Sequence, residues 1–246
     1  MRLNSALISI FLSVSAVLSN PLRKKGQPWF PSVMLESTNG ASDGPYYYSP
    51  KFSGAFREET DGHLTFATAT FNTIALSAGQ HGYTSWVGID SINTCNDSWL
   101  AVGIDTFVTD NSETSYTAWY EWGGDGPYYS DVTITPKDVI RASITALSAT
   151  SGVFIIKNLN NGQTNVHYLN STRPLCERDV TWGVAPYHNE SIAFDTVTIT
   201  NAMAYGPSGI IYDAEGANKA CLKQDNKVVT SIETAGSTVT IQHVHE

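Results

Sequence analysis

Long hydrophobic runs are almost absent from this sequence, apart from the stretch Ala6–Leu18, which is broken only by serines. A charged Arg2 precedes this stretch, and the small residues Ala16 and Ser19 follow its apolar centre. This arrangement is typical of a secretory signal peptide, and the stretch is shorter than the roughly 20 residues that a membrane-spanning helix needs. We therefore predict a signal peptide at residues 1–19, a secreted and extracellular protein, and no membrane as partner.

Basic residues are also scarce, since 14 Lys and Arg stand against 23 Asp and Glu, which gives a net charge of −9. Such an acidic chain is not expected to bind nucleic acid or anionic membranes. One basic cluster, Arg23, Lys24 and Lys25, is either a processing site or part of a solvated linker. We accordingly expect residues 20–48 to be a propeptide or a loose N-terminal arm.

Cysteine is rare, and the chain contains only Cys95, Cys176 and Cys221. In an oxidising compartment one pair and one remaining thiol are expected. The chain contains no Cys-x-x-Cys and no Cys/His spacing of the kind found in zinc sites, so we expect no metal and no cofactor. Three Asn-x-Ser/Thr sequons are candidate glycosylation sites, and we expect a glycoprotein. These sites are Asn96, Asn170 and Asn189.

Helical periodicity is missing as well: no long window repeats apolar residues at i, i+3, i+4 and i+7. Short runs rich in Thr, Val, Ile and aromatic residues, such as "HLTFATATF", "DVTITP" and "GVFIIKNL", alternate with polar clusters. Asn161-Gly162 in "NLNNGQT" indicates a tight hairpin. We predict an all-β protein with a single sandwich domain over residues 49–246.

The stretch "CNDSWLAVGID", Cys95–Asp105, predicts a strand with two different faces. Leu100, Val102 and Ile104 form the core face, because successive side chains of a strand point to opposite sides. On the opposite face, where a cleft strand could carry a polar group, Ala101 offers only a methyl group.

Several motifs, in their order along the chain, resemble those of the fungal glutamic peptidases, the eqolisin family. They are "KFSGA", "TSWVGID", "SYTAWYEW", "GQTNVHYL", "LCERDVTW" and "FDTVTITNAMA". The resemblance extends from about Lys51 to Val244. It implies a concanavalin A-like, jelly-roll β-sandwich of two large antiparallel sheets, with a substrate groove on one concave face. It also implies a secreted endopeptidase that works at acidic pH.

The family's chemistry, as the resemblance implies it, uses a glutamate as general base on water and a glutamine amide as oxyanion donor. The glutamine lies six residues after a cysteine, and in this sequence that position is Ala101. The glutamate lies five residues after another cysteine and before a tryptophan, and here that position is Thr181. Both catalytic side chains are thus missing, and the resemblance implies an inactive homologue, or pseudoenzyme.

Other positions of the family's groove are retained. Trp86, Asp90, Trp119 and Glu121 match the family, and Asp179 precedes Thr181 by two residues on the same predicted face. These five residues are the candidates for groove and peptide binding. Thr117 replaces a usual aspartate. The resemblance also implies a disulfide between Cys95 and Cys176, with Cys221 free.

Three functions remain open on the sequence. The preferred hypothesis is a monomeric, non-catalytic protein that binds a peptide or protein segment in the groove. The second is an acid-pH glutamic-type endopeptidase, or another hydrolase, with a rearranged site in which Asp90, Glu121 or Asp179 activates water, Asp90 being the strongest candidate. The third is a glycan-binding concanavalin-like sandwich with Trp86, Trp99 and Trp119 as a stacking platform.

Overall fold

The computed structural model describes the backbone of Glu36–Thr38 and the residues 46–59, 63–76, 82–92, 98–109, 111–123, 125–187 and 194–244. These residues contain eighteen β-strands and no α-helix. The strands are β1 (Glu36–Thr38), β2 (Tyr46–Ser49), β3 (Ser53–Glu58), β4 (Phe66–Asn72), β5 (Tyr83–Ile89), β6 (Leu100–Val108), β7 (Thr114–Trp122), β8 (Tyr128–Tyr129), β9 (Val139–Ser148), β10 (Ser151–Asn158), β11 (Thr164–Asn170), β12 (Asp179–Pro186), β13 (Thr196–Tyr205), β14 (Ile211–Asp213), β15 (Asn218–Gln224), β16 (Lys227–Val228), β17 (Thr230–Ala235) and β18 (Thr238–His243).

The strands form two large sheets, which confirms the predicted all-β sandwich. The larger sheet has the order β1-β2-β15-β3-β12-β5-β6-β7-β8, and β16 is paired to β15. The smaller sheet has the order β11-β10-β9-β4-β13-β18-β17, and β14 is paired to β13. Nearly all neighbours are antiparallel, but β2 and β15 run parallel. Within the described part of the chain, no helix is long and apolar enough to cross a membrane.

The main hydrophobic core lies between the two sheets. Val87, Leu100 and Val180 of the larger sheet are completely buried there, as the alternation of their strands predicts. The indole of Trp182 in β12 spans the core, and its Nε1 donates a hydrogen bond of 3.0 Å to the carbonyl of Thr68 in β4. A large buried aromatic side chain with its polar group satisfied is a strong contribution to such a core.

Two short strands extend the larger sheet towards the N-terminus. β1 pairs with β2, and β2 pairs with β15. The sequence predicts residues 20–48 to be a propeptide or loose arm. β1 lies within this segment, and β2 begins in it and ends one residue beyond it, at Ser49. Part of this segment is therefore paired into the larger sheet, and a parallel pairing with a strand more than 170 residues away leaves no local sequence signal.

One predicted strand is absent and one predicted turn is confirmed. Residues 131–136, "DVTITP", form no strand. Their polar groups bond to side chains instead: the N–H of Thr133 donates to Gln163, and the N–H of Thr135 donates to the Asp138 carboxylate at 2.8 Å. The Asn-Gly hairpin joins β10 to β11, and Gly162 has the positive φ of 77° that this turn requires.

Candidate active-site face

The two positions of the missing catalytic side chains lie in one row across the larger sheet. Thr181 in β12 is paired with Gly88 in β5, which is paired with Ala101 in β6, which is paired with Glu121 in β7. Directly opposite residues of neighbouring strands point to the same face. Ala101 and Thr181 therefore share a face of one sheet, and strand spacing puts them about 10 Å apart.

A second row, two residues along the strands, alternates glycine and tryptophan. Gly183 is paired with Trp86, Trp86 with Gly103, and Gly103 with Trp119. A Cβ atom at Gly103 would lie only 2.8 Å from the Trp119 ring and 2.9 Å from the Trp86 Cβ. Glycine is thus required here because the Trp119 ring crosses over β6 and the Trp86 Cβ lies directly beside Gly103.

We call the surface formed by Trp86, Ala101, Trp119, Glu121 and Thr181 the site face. The site face is closed to solvent, because Glu121 is 1% exposed and the other four residues are 0% exposed. A second hydrophobic cluster packs on this side of the sheet, separate from the main core. Its other buried members are Phe52, Phe56, Ile92, Trp99, Ala185 and Ala220.

Gly88 separates the two degenerate positions, and the protein's own side chains fill the space above it. A Cβ atom at Gly88 would lie 2.9 Å from a ring carbon of Trp86 and 2.9 Å from Ser91 Oγ. The hydroxyls of Ser91 and Thr181 are both buried and have no hydrogen-bond partner. The row thus contains a methyl group and an unsatisfied hydroxyl where a hydrolytic site needs a donor and a base.

The sequence suggested Asp90 as the strongest substitute base, but both oxygens of its carboxylate are bound to backbone N–H groups. Its Oδ2 accepts hydrogen bonds of 2.7 Å from the N–H groups of Cys176 and Glu177, and its Oδ1 accepts one of 2.8 Å from the N–H of Arg178. Burial raises the Asp90 pKa, and these backbone donors act in the opposite direction. Asp90 also adopts a left-handed φ of 58°, so it ends β5 and anchors the segment before β12.

Asp179 has the reciprocal role. Its Oδ1 accepts hydrogen bonds of 2.9 and 3.1 Å from the N–H groups of Ser91 and Ile92, and its carbonyl accepts the N–H of Asp90. Each aspartate therefore holds the chain segment next to the other. The partnership of "IDSI" with "CERD" cannot be identified from the sequence without the strand pairing.

Glu121 is the one candidate carboxylate that stays beside the degenerate dyad. Strand pairing puts its Cα about 5 Å from that of Ala101. A third row, two residues beyond the tryptophan row, contains a feature that the sequence reasoning did not use: Asp105 is buried and lies directly opposite Thr117. The carboxylate missing at position 117 thus has a neighbour on the adjacent strand, where the alternation of "AVGID" already placed it.

Comparison with known proteins identifies this architecture. A model of the Peptidase A4 family matches residues 50–243. The chain belongs to this family. The predicted resemblance to the glutamic peptidases is therefore confirmed.

Two members of the family show how similar the chain is. Aspergillopepsin-2 of Aspergillus niger is 31% identical over 253 aligned residues, which cover 90% of this chain and 87% of that protein. Scytalidopepsin B of Scytalidium lignicola is 29% identical over 194 residues, which cover 72% of each chain.

Solved glutamic peptidases share the fold. Scytalido-glutamic peptidase, in complex with a peptide-based transition-state analogue, superposes with a TM-score of 0.65 at 26% identity and covers 79% of this chain and 98% of that one. Aspergilloglutamic peptidase from Aspergillus niger gives a TM-score of 0.60 at 34% identity over 67% of this chain and 100% of that one. The predicted two-sheet sandwich is thus the fold of the glutamic peptidases.

The tryptophans of this family member do not form the exposed platform that glycan binding would need. Trp86 and Trp119 are 0% exposed and Trp99 is 2% exposed. Sugar rings stack on accessible aromatic faces, so the glycan hypothesis has no support in this state of the protein. Among the described residues, no group of three or more His, Cys, Asp or Glu side chains could hold a metal ion.

The cysteines and sequons are only partly described. Cys176 is disulfide-bonded, and Cys221 is buried and free. Cys95 lies outside the described residues, so its pairing with Cys176 stays a prediction. Asn170 is exposed at the end of β11, whereas Asn96 and Asn189 also lie outside the described residues.

Proposed function

We propose that this chain is a secreted, non-catalytic member of the glutamic peptidase family. The observation that carries the proposal is the row Thr181–Gly88–Ala101–Glu121, in which the two family positions for catalysis hold a hydroxyl and a methyl group. The methyl group cannot donate to an oxyanion, and a threonine hydroxyl stays protonated at any pH where a protein is folded. Loss of an oxyanion donor costs about 10²–10³ in rate, and loss of a general base about 10²–10⁴.

We further propose that the site face binds an extended peptide without cleaving it. Structures of relatives contain a peptide-based transition-state analogue and the tripeptide Ala-Ile-His. This chain keeps Trp86, Trp119 and Glu121, which match groove positions of the family, on one face of the larger sheet. Because these side chains are at most 1% exposed, the face must open before a peptide reaches it. The apparent affinity is then reduced by the fraction of open molecules, and binding is slow.

A direct experiment compares the chain with aspergillopepsin-2 on the same acid-denatured protein substrate. The proposal expects peptides to be retained intact by this chain and cleaved by the relative. Tryptophan fluorescence should change on binding, with a rate that becomes independent of peptide concentration when opening is limiting. Absence of any binding between about pH 2 and 7 would contradict peptide binding while leaving the inactive assignment in place.

Glu121 supports one second candidate function, a hydrolase with a rearranged site. Its carboxylate lies on the strand next to Ala101 and could activate water if the site face opened. The discriminating variant is Glu121→Gln, which keeps the shape of the side chain and removes the base. Cleavage by the unmodified chain that disappears in this variant would favour the hydrolase over the inactive homologue.

Secretion is part of the proposal and is supported by the signal-peptide pattern of residues 1–19. The exposed sequon at Asn170 is the described position at which a glycan would be added. Mass spectrometry of the secreted protein would show both the cleavage site and the modification.

A further inference from the structure

The outer face of the smaller sheet carries exposed apolar side chains at its β11 edge. Tyr168 and Val166 of β11 are 68% and 48% exposed. They are paired with Val153 and Ile155 of β10, which are partly buried. Phe154, between these two, belongs to the main core, so the paired side chains point outward, because successive side chains of a strand alternate. We call this outward group the edge patch; it consists of Val153, Ile155, Val166 and Tyr168.

Asn170 ends β11 on the same face as the edge patch, two residues after Tyr168. Side chains two residues apart on a strand lie about 7 Å from each other. The neighbour across the strand pair is Ser151, a small residue whose Oγ lies 2.6 Å from that of Ser148. A large group attached to Asn170 therefore has the Tyr168 ring as its bulky neighbour on this face.

Asn170, Ser171 and Thr172 form a sequon, and the backbone just after the asparagine is fixed. The N–H of Ser171 donates a hydrogen bond of 2.9 Å to the carbonyl of Thr150, and its Oγ donates one of 2.7 Å to the Asp125 carboxylate. Thr172 is exposed. These contacts set the direction of the chain, so a group on the Asn170 side chain is held beside the outer face of the sheet.

We propose that Asn170 carries an N-linked glycan whose first N-acetylglucosamine ring stacks on the Tyr168 ring and covers the edge patch. The C–H groups of a sugar ring pack against an aromatic face, and Tyr168 offers such a face at the right distance. The glycan is then part of the folded surface as well as a solubilising group. This inference rests on the secretion proposed above, and not on the loss of catalysis.

The attachment is a glycosyl transfer from a lipid-linked diphospho-oligosaccharide. The bond between C1 of the first sugar and the diphosphate breaks, and a bond between C1 and Asn170 Nδ2 forms. The amide nitrogen releases one proton, and the lipid diphosphate is the leaving group. The sequon requires the hydroxyl of Thr172, so Thr172→Ala prevents the transfer and leaves Asn170 and Tyr168 in place.

The competing explanation is that a second copy of the chain covers the edge patch by pairing with β11. Within the described part of the chain, β11 pairs only with β10, and such edges can pair with other chains. Its N-terminal end, however, is already occupied, since Asn165 Nδ2 donates to the Asp131 carboxylate at 2.9 Å. The remaining half of the edge ends at Asn170, where a glycan blocks the approach of another strand. The two explanations therefore exclude each other.

A double-mutant cycle on the full chain, secreted from a eukaryotic host, tests the contact. Thr172→Ala removes the glycan, and Tyr168→Thr removes the ring but keeps a residue that favours strands. With the glycan present, Tyr168→Thr should lower the melting temperature by about 2 °C or more; without it, the same change should have little effect. An endoglycosidase that leaves only the first sugar should preserve the effect of Tyr168→Thr. Mass spectrometry of the peptide that contains Asn170 measures whether the glycan is attached.

Tyr205 provides the matched control. It lies in the same row of the same face, four strands away from Tyr168, and its ring stacks on Phe66 at 4.4 Å. Tyr205→Thr should lower the melting temperature equally with and without Thr172→Ala, because no sugar reaches this end of the row.

Equal effects of Tyr168→Thr with and without the glycan would overturn the stacking contact. A secreted chain with an unmodified Asn170 would overturn the glycan and leave secretion in place, whereas a chain that stays inside the cell would overturn both. Dimerisation of the glycosylated chain through β11, measured by sedimentation and by protection of the β11 amides from exchange, would identify a second copy as the occupant and overturn the proposal.

Discussion

The hydroxyl of Thr181 gives a sharp test of whether this position still has a role. Its Oγ1 is completely buried and accepts or donates no hydrogen bond, although it occupies the place of the family's general base. Leaving a buried hydroxyl unsatisfied costs about 1–3 kcal/mol, and valine has the same shape with a methyl group instead. Thr181→Val should therefore raise the free energy of unfolding by about 1–2 kcal/mol, or the melting temperature by about 3 °C or more.

Thr230 provides the matched control, because it is equally buried, at 1% exposure, but fully bonded. Its Oγ1 accepts the N–H of Leu222 at 2.8 Å and lies 2.8 Å from Ser53 Oγ. Thr230→Val breaks both bonds and should lower the unfolding free energy by about 1–3 kcal/mol. Urea unfolding of both variants at one pH measures the two effects. Destabilisation by Thr181→Val would refute the reasoning, because it would mean that the hydroxyl has a bound partner that the site retains.

Three further predictions concern activity, pH and the free thiol. Neither Ala101→Gln nor Thr181→Glu alone should restore peptidase turnover, because the donor and the base act on the same tetrahedral intermediate; only the double variant should show partial activity, and activity in a single variant would contradict this. Burial raises the pKa of Glu177, while the His63 beside it opposes this shift, so the folded state holds a proton that the unfolded state has released. Stability from this group is therefore present below about pH 4.5, the ordinary Glu value, and is lost as the pH rises through the raised pKa, so the melting temperature should fall over that range. Glu177→Gln should make the melting temperature less dependent on pH there. An unchanged dependence in this variant would count against the assignment. Burial raises the pKa of Cys221 to about 11, so at pH 8 it should resist alkylation until the protein unfolds, and rapid labelling of the native protein would contradict its burial.

Alternation of side chains made much of the fold predictable. In β6 the pattern of Leu100, Val102 and Ile104 against Ala101 and Gly103 fixes which face is buried in the main core. A one-residue shift would have moved every side chain to the wrong face, so the common face of the degenerate dyad followed from the same pattern. The family resemblance supplied the division into two large sheets, which periodicity alone does not contain.

The parts that could not be predicted depend on contacts between distant segments. Asp90 matched a groove motif, but its carboxylate binds backbone groups of residues 176–178, and only the pairing of β5 with β12 brings these together. The closed state of the site face was also hidden. The Trp119 ring lies over Gly103 of the neighbouring strand β6, and that packing requires knowledge of the strand register.

The central claim, loss of catalysis, is tested most directly by cleavage in water labelled with ¹⁸O. The purified chain and aspergillopepsin-2 are incubated with the same denatured protein from about pH 2 to 7, and new carboxyl termini are measured by mass spectrometry. Hydrolysis by activated water introduces the label at each new terminus, so very slow turnover is detected. The account predicts labelled products from aspergillopepsin-2 and none above the buffer level from this chain. Labelled termini produced by this chain, and lost in a Glu121→Gln variant, would contradict it.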